Sequence, residues 1–170
     1  EQVVIGANVR SLPSGFFMDC KQLKKVTFEE RSADAELVMG NSCFSSCSNL
    51  ATVVLPKTTK IGDYCFAGTS FTSIVFPDGL TYVGAGALVI GDLKTAELGN
   101  SVTHIGEGAF SGCEELESVI IGDKVDYIGD EAFKNCKKLE TIELPEGLTY
   151  LGKNSFGQSG LTHIRIPGSV

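Results

Sequence analysis

Six of the ten phenylalanines in this chain fall in a single column: Phe17, Phe44, Phe66, Phe110, Phe133 and Phe156, with Leu88 in the one vacant place. Successive members stand 27, 22, 22, 22, 23 and 23 residues apart. A sequence period of this size is the signature of a solenoid, in which each repeat forms one coil and buries its apolar residues only by stacking on its neighbours. That constraint also bears on function, because a solenoid ordinarily works by presenting a surface.

The neighbouring columns supply the coil. Leu23, Leu50, Phe71, Leu93, Leu116, Leu139 and Leu161 open successive repeats and define position one. Position four holds Val26, Val53, Ile74, Ala96, Val119, Ile142 and Ile164; position six holds Phe28, Leu55, Phe76, Leu98, Ile121, Leu144 and Ile166. Inward residues two apart predict a short strand. Pro56, Pro77, Pro145 and Pro167 follow at position seven and end it, since proline donates no ladder hydrogen bond. A second apolar pair comes at positions ten and thirteen, as in Val102 and Ile105 or Val125 and Ile128. Next is a glycine column, Gly40, Gly62, Gly84, Gly106, Gly129 and Gly152, which predicts a bend in the positive-φ region that glycine enters freely. The Phe column then predicts a short helical turn whose ring plugs the coil. Seven to eight such coils, at the strand spacing, make a rod of roughly 35 Å.

The pattern Leu-x-x-Ile-x-Leu-Pro-x-x-Leu-x-x-x-Gly-x-x-x-Phe, met at Leu139 to Phe156, resembles the BspA-like leucine-rich repeats. The stretches Ser101 to Cys113 and Lys124 to Cys136 carry the same resemblance, which covers nearly the whole chain. It departs from the general leucine-rich repeat in lacking an Asn/Cys column after the first strand. The resemblance implies an α/β, right-handed leucine-rich-repeat solenoid, a β-rich horseshoe or rod of about 22–23 residues per coil. It also implies a bacterial or protist protein that is secreted or held at the cell surface, and, in some members, adhesion to host or neighbouring-cell proteins.

Three repeats depart from the pattern. Glu29 to Glu36 is a polar insertion expected to bulge as a loop, and the third repeat is one residue short between Pro56 and Ile61. The fourth has Leu88 for Phe and Gly91 for Cys. No linker interrupts the columns, so residues 1–170 read as one domain. Both ends break off within a repeat, as expected of a fragment of a longer array whose signal peptide lies outside this sequence.

Net charge is −7 and the pI near 4.8, with no basic stripe, which argues against nucleic acid and anionic membranes as partners. No apolar run approaches a membrane span. Cys20, Cys47, Cys113 and Cys136 share one column and Cys43 and Cys65 another. Residues of a column point in parallel, so these are expected to be free thiols packing as small hydrophobes, although neighbouring coils lie close enough for a disulfide. Paired short spacings of a zinc site are missing. Gly84-Ala85-Gly86 and Gly106-Glu107-Gly108 do not complete a phosphate-binding motif. His104 and His163 occupy different columns and suggest no catalytic pair. Asp63, Glu107 and Asp130 follow the glycine column singly, as a solvated edge would. No enzyme, metal or cofactor is expected.

What remains for function is the outward columns. Position twelve reads Tyr82, His104, Tyr127 and Tyr150 through four successive coils, an aromatic ridge suited to binding. Strand propensity and cross-coil stacking would select the same residues. Position five reads Val4, Thr27, Val54, Val75, Glu97, Ile120, Glu143 and Arg165. There Val54 and Val75 are expected to adjoin, and Glu97 and Glu143 to flank Ile120, making an apolar and acidic face for a protein partner with a basic component. Strand propensity again offers an ordinary explanation. The chain therefore reads as a non-catalytic protein-binding module, or alternatively as a spacer that displays other domains of a surface protein.

Overall fold

The computed structural model describes residues 1–32 and 36–170. Among the described residues thirteen short strands follow one another: β1 (Gln2–Ile5), β2 (Ser11–Leu12), β3 (Lys25–Phe28), β4 (Leu37–Met39), β5 (Thr52–Val53), β6 (Thr58–Ile61), β7 (Ser73–Val75), β8 (Tyr82–Val83), β9 (Thr95–Glu97), β10 (His104–Ile105), β11 (Ser118–Ile120), β12 (Tyr127–Ile128) and β13 (Tyr150–Leu151). Every pairing is parallel and joins a strand to its equivalent one coil away. The second strands form one seven-stranded sheet, β2-β4-β6-β8-β10-β12-β13, along the coil stack. The first strands form two separate sheets, β1-β3-β5 and β7-β9-β11.

The apolar columns fill the space between these walls. Leu50, Leu93, Leu116 and Leu139 of position one are fully buried, as are Leu80, Val102, Val125 and Leu148 of position ten. In the shortened third repeat Thr58 takes that inner place, and its hydroxyl donates to the Pro56 carbonyl at 2.7 Å, so the buried oxygen is satisfied. The Phe column is the spine expected. Phe17, Phe44 and Phe66 stack at 5.2 and 5.6 Å between centroids; Phe110, Phe133 and Phe156 stack at 5.0 and 5.5 Å. Leu88 interrupts the run, and Ile90, fully buried beside it in sequence, adds apolar volume to the same turn.

Two sequence expectations are corrected here. The Phe segments are not helical turns, and no helix occurs among the described residues, so the architecture is a β-solenoid and not α/β. Left-handed residues recur four apart in these segments: Ser42 and Ser46 (φ 54° and 60°), Glu131 and Asn135 (55° and 61°), Gly108 and Gly112 (56° and 75°). A right-handed helix cannot run through such residues. Alternate N–H groups instead reach the next coil, as Phe44 N–H does to the Cys65 carbonyl at 2.8 Å and Ser46 N–H to Ala67 at 2.7 Å. The turn is thus a third hydrogen-bonded wall. Ile90 stands where Gly68 and Gly112 are left-handed in their coils, but it does not adopt positive φ, as a β-branched residue should not.

The glycine column is the second correction. Gly40, Gly62, Gly84, Gly106, Gly129 and Gly152 lack positive φ. They are required by close approach. A Cβ on Gly84, Gly106 or Gly152 would lie 2.4, 2.7 and 2.3 Å from backbone of the preceding coil. The positive-φ positions fall two residues later.

Part of the expected Glu29–Glu36 loop, residues 33–35, lies outside the described residues. Its near flank is tied to the first coil: Glu29 Oε2 accepts the Ala7 N–H at 3.0 Å, and the Arg31 guanidinium donates to the Gly6 and Val9 carbonyls.

Candidate functional site

The position-twelve side chains stand on the continuous sheet, and its register sets them face to face. Tyr82 pairs with His104, His104 with Tyr127, and Tyr127 with Tyr150. Ring centroids lie 5.0, 4.1 and 4.5 Å apart, with planes within 19° of parallel. Lys60, the position-twelve residue of the preceding coil, extends the column, its Nζ 5.4 Å from the Tyr82 ring centre. Sequence reading missed Lys60, although it sits in register one residue before the apolar Ile61, the same signal that located the tyrosines.

Stacking leaves the ring edges and hydroxyls as the outward surface. Tyr82, His104 and Tyr127 are half-buried and Tyr150 is 44% exposed. Carboxylates line the ladder. Burial and the nearby Asp63 carboxylate push the Tyr82 phenol up; Tyr150 is raised chiefly by Asp130, whose Oδ1 its hydroxyl meets at 3.4 Å. Burial holds His104 below its ordinary value, opposed by Asp126. The stack therefore favours a neutral imidazole.

The carboxylates beside the bend do more than face solvent. Asp63 Oδ1 accepts the Ala85 N–H at 2.9 Å and Asp130 Oδ1 the Lys153 N–H at 2.8 Å, each bridging to the next coil. Asn41 does the same for Asp63 at 3.0 Å. The expected solvated edge is thus also a side-chain hydrogen-bond ladder.

The position-five face is less continuous than expected. Val54, Val75 and Ile120 are 83%, 62% and 58% exposed, and Val4, Glu97, Glu143 and Arg165 also point outward, with Thr27 half-buried. Glu97 and Ile120 are paired across β9 and β11. Val54 and Val75, however, lie on either side of the break between the two first-strand sheets and share no ladder. Glu143 and Arg165 lie past β11, outside any strand. Val54 borders an open cleft of about 420 Å³ with Thr27, Phe28, Leu55 and Pro56. A second cleft of about 550 Å³ lies between Glu143, Glu146, His163 and Arg165, where Arg165 donates to Glu146.

His104 and His163 fall on different coils, one within the ladder and one at the second cleft. Among the described residues, no group of three or more His, Cys, Asp or Glu could hold a metal ion. No helix there is long and apolar enough to cross a membrane. All six cysteines are free, five of them buried and Cys20 exposed.

Short parallel strands on two walls, a hydrogen-bonded turn on the third and a leucine-opened repeat define a leucine-rich-repeat solenoid. The BspA type leucine rich repeat region matches in six copies over residues 1–88 and 59–170, and the chain belongs to that family. Solved structures share the fold. A leucine-rich repeat protein from Bacteroides ovatus superposes with TM-score 0.63 at 23% identity, covering 99% of this chain and 55% of that one. The pneumococcal vaccine antigen PcpA gives 0.61 at 20%, covering 100% and 51%. A leucine rich cell surface protein from Faecalibacterium prausnitzii gives 0.54 at 20%, covering 98% and 60%. The chain thus spans between half and three-fifths of these structures. No curated protein matches it in sequence.

Proposed function

We propose that this solenoid is a non-catalytic protein-binding module of a secreted or cell-surface protein, and that Tyr82, His104, Tyr127 and Tyr150 form its contact surface. The observation that carries the proposal is the in-register ladder on the unbroken sheet, bordered by Asp63, Asp126 and Asp130. Pre-stacked rings lose little freedom on binding, and hydroxyl edges beside carboxylates favour lysine and arginine side chains of a partner. A host or neighbouring-cell protein with a basic segment fits this surface. Membership of the family and the surface location of the Faecalibacterium relative support the setting. The position-five face is the weaker candidate because its sheet is divided.

The chain has no tryptophan, and three of its four tyrosines are in the ladder, so tyrosine emission reports on this surface. Titration with a lysine- and arginine-rich peptide lacking aromatic residues should change that emission, with an affinity that falls as salt rises. A variant with Tyr82, Tyr127 and Tyr150 replaced by serine, followed by a dye on the peptide, should stay folded and bind at least tenfold more weakly. Undiminished binding would reject the ladder as the contact.

The spacer reading has one observation in its favour: the ring faces are occupied by each other, so the ladder also stiffens the stack. It predicts a folded chain, wild type or variant, that binds neither the peptide nor immobilised extracellular proteins.

A further inference from the structure

The turn wall carries one side chain that its column does not call for. The first left-handed residue of successive turns is Gly15, Ser42, Tyr64, Gly86, Gly108, Glu131 and Asn154, all with φ between 53° and 65°. Left-handed backbone brings Cβ close to the following carbonyl, which suits glycine and short polar residues far better than an aromatic. Tyr64 is the aromatic member of the column, and it is 53% exposed, so burial of the ring does not account for it.

Glycines hold the space beside this ring. A Cβ on Gly86 would fall 2.3 Å from Tyr64 Cε1, so the ring lies against bare backbone of the next coil. One coil further, a Cβ on Gly108 would meet nothing beyond its chain neighbours nearer than the Ser111 Cβ at 3.6 Å. The two missing side chains leave a cleft of about 320 Å³ along the turn wall, with Tyr64 and Val89 as its apolar lining and Glu107 and Glu131 as its carboxylates. Glu131 Oε1 is paired with Lys134 Nζ at 2.9 Å. Among the described residues, no hydrogen bond or ion pair engages the Glu107 carboxylate.

An exposed aromatic ring and an unpaired carboxylate in one cleft are complementary to a planar cation. A guanidinium packs on aromatic rings and donates to carboxylates through a fixed fork, whereas an ammonium is a compact, more strongly hydrated charge that gains less from the ring. We propose that this cleft seats an arginine side chain of a protein partner, with the guanidinium against Tyr64 and donating to Glu107. The inference rests on the protein-binding reading for its partner, but the seat lies on the turn wall and not on the sheet that carries the Tyr82–Tyr150 ladder.

The test titrates N-acetyl-arginine amide into the whole isotope-labelled chain and follows the amide resonances by NMR. Saturable shifts are expected at Gly86 and Gly108, with weaker binding of N-acetyl-lysine amide. Tyr64→Ser places the residue type of Ser42 at the same φ, so the chain should stay folded and bind the arginine probe roughly threefold or more weakly. Gly108→Asn has a precedent in Asn154 at φ 53°, and its side chain should fill the cleft and abolish the shifts. The variant with Tyr82, Tyr127 and Tyr150 replaced by serine should bind this probe as wild type does. Absence of saturable shifts at Gly86 and Gly108, equal affinity for the lysine probe, or undiminished binding by either Tyr64→Ser or Gly108→Asn would overturn the proposal. Loss of probe binding in the ladder variant alone would place the arginine on the ladder, overturning the seat while leaving the ladder reading intact.

Discussion

Phe133→Ala tests the spine directly. Phe133 is fully buried, with Phe110 stacked on one face at 5.0 Å and Phe156 on the other at 5.5 Å. Truncation removes roughly 120 Å² of apolar surface from the core, about 3 kcal/mol at ~25 cal/mol per Å². The walls cannot close on the space left. Phe110 N–H is bonded to the Ala132 carbonyl at 2.8 Å and Phe133 N–H to Ser155 at 2.7 Å, and these bonds hold the coil spacing. An unrelaxed cavity of roughly 60 Å³ adds about 1.5 kcal/mol at ~24 cal/mol per Å³, for a total of about 4–5 kcal/mol. Urea denaturation of wild type and variant reads this as the midpoint shift multiplied by the slope. Phe156 is half-buried and stacked on one ring, so Phe156→Ala should cost about 2 kcal/mol, below the roughly 3–5 kcal/mol of a fully buried Phe truncation. A loss below about 2 kcal/mol at Phe133, or equal losses at both positions, would refute the spine argument.

Three glycines separate space from backbone conformation. Gly91 and Gly112 both have open space where a Cβ would go, but only Gly112 has positive φ, at 75°. Gly91→Ala should therefore be neutral or stabilise by about 0.4–1 kcal/mol, whereas Gly112→Ala should cost about 1–2 kcal/mol. Gly106→Ala should cost more than either, because its Cβ would lie 2.7 Å from the Ala85 nitrogen; thermal melts of the three variants give the order directly. His104 carries a pH dependence. Its folded pKa lies below the unfolded value of about 6.5, so its contribution is complete above that pH. It declines as pH falls from there toward the folded pKa, since the unfolded chain takes up the proton first. An NMR titration of the His104 ring should give a midpoint below about 6.5, and a midpoint at or above it would contradict burial as the dominant influence.

The periodicity of this chain determined the solenoid, the inward columns, the Phe spine and the outward position of the tyrosines. These follow because every coil must bury its side chains against an equivalent coil, so packing requirements recur at one spacing and print themselves on the sequence. Tertiary structure decided what depends on the relation between coils. Whether Gly84 bends the chain or admits the coil beneath it depends on where a Cβ would fall, 2.4 Å from the Gly62 backbone, which no local pattern records. The same holds for the turns, where bonds such as Ser46 N–H to the Ala67 carbonyl span coils and replace the helix expected from the segment alone. Val54 and Val75 occupy one sequence column, yet Val54 lies just past β5 and Val75 in β7, strands that belong to separate sheets. The tyrosines stack because their sheet runs on where that one breaks.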